Sequence, residues 1–174
     1  MTDVLSRKQR RFNMSRIRGR DTQPEIKLRR SLHSRGLRFR LHRRDLPGCP
    51  DLIFPRHRIV IFVHGCFWHR HLCPMFRWPN TRKAFWRQKI EGNARRDCTV
   101  QAALVRANWR VLVVWECALR GPKRRTMEEV VESILRWFQG NQLIGIVAGS
   151  SRHGRSSRRI SNGSQQFEHT VQPR

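Results

Sequence analysis

Between positions 20 and 140 the apolar residues alternate between helical spacing and short unbroken runs, as in helices laid against a sheet. Asp21 and Thr22 stand before Pro24 and Glu25. A capping side chain, a first-turn proline and an early acid predict a helix from there to about Arg35, with Ile26, Leu28, Leu32 and Leu37 as its apolar set and Gly36 stopping it. Leu37 to Leu41 alternates apolar and basic residues at period two, which predicts a half-buried strand. Asp51 to Phe54 and Ile59 to Val63 are β-rich runs separated by Pro55 to Arg58, a hairpin leading into a central strand. Residues 64 to 80 are dense in His, Cys, Trp and Pro and have no period, so they read as a shaped loop. A long helix over about Arg82 to Ala107, a buried strand from Trp109 to Trp115 and an amphipathic helix from Met127 to Phe138 complete the pattern. This order predicts an α/β fold, a mixed β-sheet flanked by helices.

At 174 residues the chain suits one core. We expect a domain over residues 21 to 140, preceded by a basic arm at 1 to 20 with Phe12, Met14 and Ile17 on one side. Beyond an apolar patch at Leu143 to Val147, residues 141 to 174 have little to bury and read as a disordered basic tail. Lys and Arg outnumber Asp and Glu by 37 to 12, a net charge of +25 spread along the whole chain, so the partner is a polyanion. Charge alone fits a ribosomal-type structural protein equally well. The first residues carry no secretion signal and no run reaches about 18 apolar residues, which predicts a cytoplasmic protein without membrane contact.

Five cysteines in a reducing compartment point to metal before disulfides. Cys66, His71 and Cys73 lie close together, and Cys117 follows the strand ending near Trp115. Four thiolate and imidazole ligands make a closed zinc site of the structural kind. Buried free thiols are the competing reading for Cys73 and Cys117 and the preferred one for Cys49 and Cys98; His64 or His69 can exchange with His71 in the set.

Cutting a phosphodiester with magnesium needs oxygen ligands and a proton acceptor. Asp51 opens a buried-looking strand, where an acid is costly unless it binds something. If the hairpin closes, Asp51 meets the end of the second strand, where Val63 offers its carbonyl. Glu25 joins this set or is simply a helix N-terminal charge. His69 is a candidate general base, and Asp97 either orients it or pairs with Arg96 on an exposed helix face. Phe67 and Trp68, beside His64, His69, Arg70 and Arg77, either stack on bases or pack inward; Trp86, Trp109, Trp115 and Trp137 read as core.

The segments P-G-C-P-D (47 to 51), V-I-F-V-H-G-C-F-W-H-R-H-L-C (60 to 73), F-W-R-Q-K-I (85 to 90), R-R-D (95 to 97) and W-R-V-L-V-V-W-E-C-A-L-R-G (109 to 121) together closely resemble the very-short-patch mismatch repair (Vsr) endonucleases, over about residues 8 to 140. The resemblance implies a type II restriction-endonuclease-like fold and nicking of one strand at a T:G mismatch left by 5-methylcytosine deamination, 5′ of the thymine. It implies magnesium on Asp51 and the Val63 carbonyl with Glu25 linked through water, His69 with Asp97 as the base, and zinc on Cys66, His71, Cys73 and Cys117. Phe67 and Trp68 become a wedge, with Met14 entering the opposite groove and His64 among the DNA-contacting residues. Val63 replaces the threonine of well-known relatives, and no lysine follows two residues later, so His69 must supply the base chemistry. The expected partner is double-stranded DNA, bound by a monomer at the nucleoid ahead of downstream repair proteins. The competing function is a zinc-stabilised DNA-binding module without catalysis; a catalytic zinc hydrolase is a third reading.

Overall fold

A computed structural model describes residues 19 to 150, together with Ser6, Lys8, Gln9, Arg11 and Phe12. Most of the basic arm, Met14 included, and the chain from 151 onward lie outside the described residues. The elements from Gln23 on are α1 (Gln23–Ser34), β1 (Leu52–Phe54), a 3-10 turn (Pro55–His57), β2 (Ile59–His64), α2 (Lys83–Arg106), β3 (Arg110–Trp115), the one-turn α3 (Glu116–Leu119), α4 (Met127–Gln139) and β4 (Ile144–Val147). The strands form one sheet in the order β1-β2-β3-β4, with β1 antiparallel to β2 and the other pairs parallel. The predicted mixed sheet with helices is therefore present, and the hairpin does lead into a central strand.

Alternation along the strands divides the core in two. Leu52, Phe54, Ile59, Ile61, Leu112, Val114 and Val147 pack with Leu28 and Leu32 of α1 and Val130, Val131 and Ile134 of α4. Ile53, Val60, Phe62 and Val111 point the other way, to Leu104 of α2 and Trp109. Burial of whole Leu and Ile side chains at about 1.5–3 kcal/mol each makes these two faces the main source of stability. A capping box, Thr126 with Glu129, sets the start of α4. At α1 the cap differs from expectation. The Thr22 hydroxyl donates to Glu25 instead of accepting from the helix backbone.

Three expectations need correction. Leu37 to Leu41 is not a strand: Arg40 alone bridges to Ile53, while Leu37 and Phe39 lean on the core. The domain does not end at 140, because Ile144–Val147 adds a fourth strand and the Gly149 and Ser150 amides bond to Cys117 and Lys123. Gly145 permits this strand; a Cβ there would stand 2.2 Å from the Trp137 indole nitrogen. Cys49 and Cys98 are exposed thiols, not buried ones.

The sheet positions the site. β2 and β3 run parallel, so their C-terminal ends lie side by side, and antiparallel β1 brings its own start to that same edge. Irregular backbone follows β2 directly at this edge. The chemistry-bearing residues gather there.

Candidate active site and zinc-binding loop

Asp51 immediately precedes β1, and its Oδ2 accepts from the Val63 backbone N–H at 2.8 Å, so the hairpin brings the two together as expected. Burial pushes the Asp51 carboxyl up to about 6, helped by the negative charge of Glu25 and opposed by the Val63 N–H, His42 and Arg29. An acid held in this way is short of positive partners. A divalent cation fits that deficit, and the carboxylate oxygen left by Val63 supplies the hard ligand such an ion prefers.

The raised value has a consequence for stability. The folded chain holds the Asp51 proton more tightly than the unfolded chain, whose pKa is 3.8, so this group favours folding most at low pH and its contribution is lost as pH rises from about 4 through about 6. Without magnesium, the parent should lose up to about 3 kcal/mol relative to Asp51→Asn over that window. Urea melts of both proteins at pH 4 and pH 7 read the difference directly; a constant gap would contradict the burial account. The same protonation should weaken magnesium binding below pH 6.

His64 ends β2, and His69 folds back over it with ring centroids 3.9 Å apart and planes 8° from parallel. Asp97, near the middle of α2, approaches His69 from outside: its Oδ2 lies 2.6 Å from His69 Nδ1. With Nδ1–H donating to the carboxylate, Nε2 keeps its lone pair for a proton. Asp97 therefore pairs with His69, while Arg96 donates to Asn93. His64 is 7% exposed, and burial, with the charge of His69, pushes its pKa down to about 3. It is a neutral floor beneath His69 at the end of β2. A small cavity of about 160 Å³ opens beside the three, lined also by Phe62, Arg96 and Gln101.

The ligand atoms of Cys66, His71, Cys73 and Cys117 all lie within 4.8 Å of one another. His71 Nδ1 is 3.5 Å from the sulfurs of both Cys66 and Cys117. Ideal zinc bond lengths with tetrahedral angles give about 3.6 Å for that edge. Soft donors at tetrahedral spacing fit zinc. Burial pushes the Cys66 and Cys117 thiols up, which disfavours bare thiolates and makes a cation the natural way to stabilise them. Trp115 stacks on His71 at 4.2 Å, the Gly149 N–H donates to Cys117 Sγ, and Glu116 accepts the Cys66 N–H. Neither Glu116 nor Gly149 carries a sequence signal for this role beyond the position of Glu116 beside Cys117. Four such donors would complete a tetrahedral ion, with no position open for a substrate.

Phe67 and Trp68 are half-exposed, in edge contact at 5.0 Å, and Phe67 also meets Trp86 at 5.3 Å. Trp86 therefore belongs to this surface aromatic group and not to the core, whereas Trp109 and Trp137 are buried as expected and Trp115 serves His71. Asn93 of α2 donates to the Trp68 carbonyl, tying the aromatic turn to the helix that carries Asp97. The rings continue through Phe76 to Trp78 and through Trp86 to Phe85, where the Arg70 and Arg82 guanidinium groups lie over Trp78 and Phe85 at 5.9 and 4.4 Å. A rigid aromatic platform with a basic rim suits the stacked bases and phosphates of nucleic acid.

Comparison with known proteins agrees with this chemistry. The sequence profile of the family described as DNA mismatch endonuclease Vsr matches residues 2–75. A type II nicking enzyme of Xanthomonas oryzae pv. oryzae is 53% identical over 119 residues, covering 68% of this chain and 88% of its own. The DNA mismatch endonuclease Vsr of Escherichia coli is 45% identical over 140 residues, covering 80% of this chain and 90% of its own. A type II nicking enzyme of Neisseria meningitidis is 36% identical over 120 residues, with 69% and 86% covered.

Proposed function

The chain belongs to the Vsr DNA mismatch endonuclease family, and on that premise we propose that it nicks one strand of double-stranded DNA at a T:G mismatch, 5′ of the thymine, with magnesium. Membership makes it a nuclease acting on DNA, and the mixed sheet with flanking helices accords with the restriction-endonuclease-like fold. The reading of a DNA-binding module without catalysis gives way to it.

The observation that carries the finer reading is the His69–Asp97 pair, set at the same sheet edge as Asp51 and apart from the closed cysteine quartet. Asp51, with the Val63 carbonyl, would hold the magnesium, and the bound ion would offset phosphate charge and acidify a water. His69 Nε2 takes the proton of the attacking water, and Asp97 holds the ring and stabilises the imidazolium that results. Phe67 and Trp68 wedge into the base stack at the mismatch, at a cost of a few kcal/mol that a mispaired step reduces, and Met14 of the arm takes the opposite groove. Cys66, His71, Cys73 and Cys117 would hold zinc, which would fix the loop that carries His69, Phe67 and Trp68. Within this reading the enzyme is a monomer at the nucleoid in the cytoplasm, acting ahead of downstream repair proteins.

A closed circular duplex carrying one T:G mismatch tests this against the matched circle. We expect open circles only from the mismatched substrate with magnesium added, and a rate lower by about a thousandfold or more in Asp51→Ala. Equal nicking of the matched circle, or undiminished nicking by Asp51→Ala, would refute it.

A further inference from the structure

Glu25 lies in the first turn of α1 and is 4% exposed, with both oxygens occupied. Oε1 accepts from the Thr22 hydroxyl at 2.7 Å; Oε2 accepts from the Asp21 N–H at 2.9 Å and from Arg29 Nη2 at 3.0 Å. A cation seeking an inner-shell bond to this carboxylate must displace those donors.

The strongest of them is Arg29, one turn further along α1. Its side chain is buried; Nη1 donates to Asp21, Nη2 lies 3.0 Å from His42 Nε2, and Nε has no hydrogen-bond partner among the described residues. A guanidinium only donates, so His42 must turn a lone pair towards it. The ligand atoms of Asp21, Glu25 and His42 are close enough together to suggest a metal site in themselves. Arg29 already supplies the positive charge there. A buried ion pair with an unmatched N–H is a poor device for stability alone. Its neighbour gives it a second meaning, because the antiparallel bridge between Arg40 and Ile53 brings the His42 segment alongside Asp51, and hydrogen bonds join His42 to Arg29 and Arg29 to Glu25.

We propose that Arg29 is a positioning residue, braced by Asp21 and His42, whose guanidinium keeps Glu25 out of the inner coordination shell of the divalent ion on Asp51, so that Glu25 acts through water. The inference rests on the reading of Asp51 as the metal ligand. It assigns a task to three residues, Asp21, Arg29 and His42, that the sequence left without one.

Manganese(II) is the probe, counted by electron paramagnetic resonance on the zinc-loaded full chain bound to an already nicked mismatch duplex, with binding to DNA alone subtracted. The parent should bind an ion that Asp51→Asn loses. Glu25→Gln keeps an oxygen that accepts from Arg29, and its dissociation constant should stay within about threefold of the parent. A loss of about tenfold or more would make Glu25 a direct ligand and overturn the proposal. Arg29→Met keeps the bulk, removes the charge and should bind about five- to tenfold more tightly, with Arg29→Lys returning to the parent value. Equal or weaker binding by folded Arg29→Met would overturn the proposal, and if that variant melts too low to assay, Glu25→Gln decides alone. Parent-like binding by Asp51→Asn would instead remove the metal reading on which the proposal stands.

Discussion

Replacing Cys66 with serine should release the zinc, lower the melting temperature by about 10 °C and reduce nicking by more than about a hundredfold. The size follows from what the quartet joins. Cys66 begins the loop after β2, and Cys117 sits in α3 just beyond β3, so the ion would bridge segments that share little apolar contact. Residues 64 to 80 contribute few side chains to either core cluster. Without the cross-link the loop loses its anchor, and His69, Phe67 and Trp68 lose their positions with it. Metal analysis beside calorimetric melting of the parent and the variant measures both effects. A variant that loses zinc and activity but melts like the parent would instead indicate a catalytic zinc; one that keeps both would remove the quartet from the account.

His69→Ala should lower the single-turnover nicking rate by about 10² to 10⁴ while binding to the mismatched duplex stays within about twofold. Asp97→Ala should cost about ten- to a hundredfold, because the ring remains but its tautomer and direction are no longer fixed. The two losses should not add. Once His69 is gone, Asp97 has nothing to orient, so the double variant should match His69→Ala. Rapid-quench rates for the three variants, with fluorescence anisotropy for binding, separate chemistry from affinity. Additive losses would mean that Asp97 acts on something other than His69.

Much of this site could be read from the sequence because its residues are of scarce types at constrained places. With twelve acids in the chain, one standing at the start of an apolar strand invites attention, and the hairpin then brings Asp51 to Val63. The quartet was legible because soft ligands cluster in one aperiodic loop and at one strand end. Strands β2 and β3 were legible as unbroken apolar runs buried on both faces. What was not legible depends on pairing between distant segments. Leu37 to Leu41 has the alternation of a strand, but only Arg40 finds a ladder partner. Ile144–Val147 looks too short and too near the tail to matter, yet it pairs with β3 and carries a glycine to fit beneath Trp137. Trp86 reads as core by residue type and is drawn instead to Phe67 on the surface. His64 shares a motif with ligands and a base, and only the fold shows it stacked beneath one of them. Arg29 resembles any basic residue on a helix until His42, thirteen positions on, is placed against it.

Mapping the cut on a mismatched duplex labelled in turn on each strand tests the central claim most directly. With magnesium present, the account predicts one product, from the thymine-bearing strand, ending immediately 5′ of the mispaired thymine, and no product from Asp51→Ala. Cleavage of both strands, a cut at another position, or the same product from Asp51→Ala would contradict it.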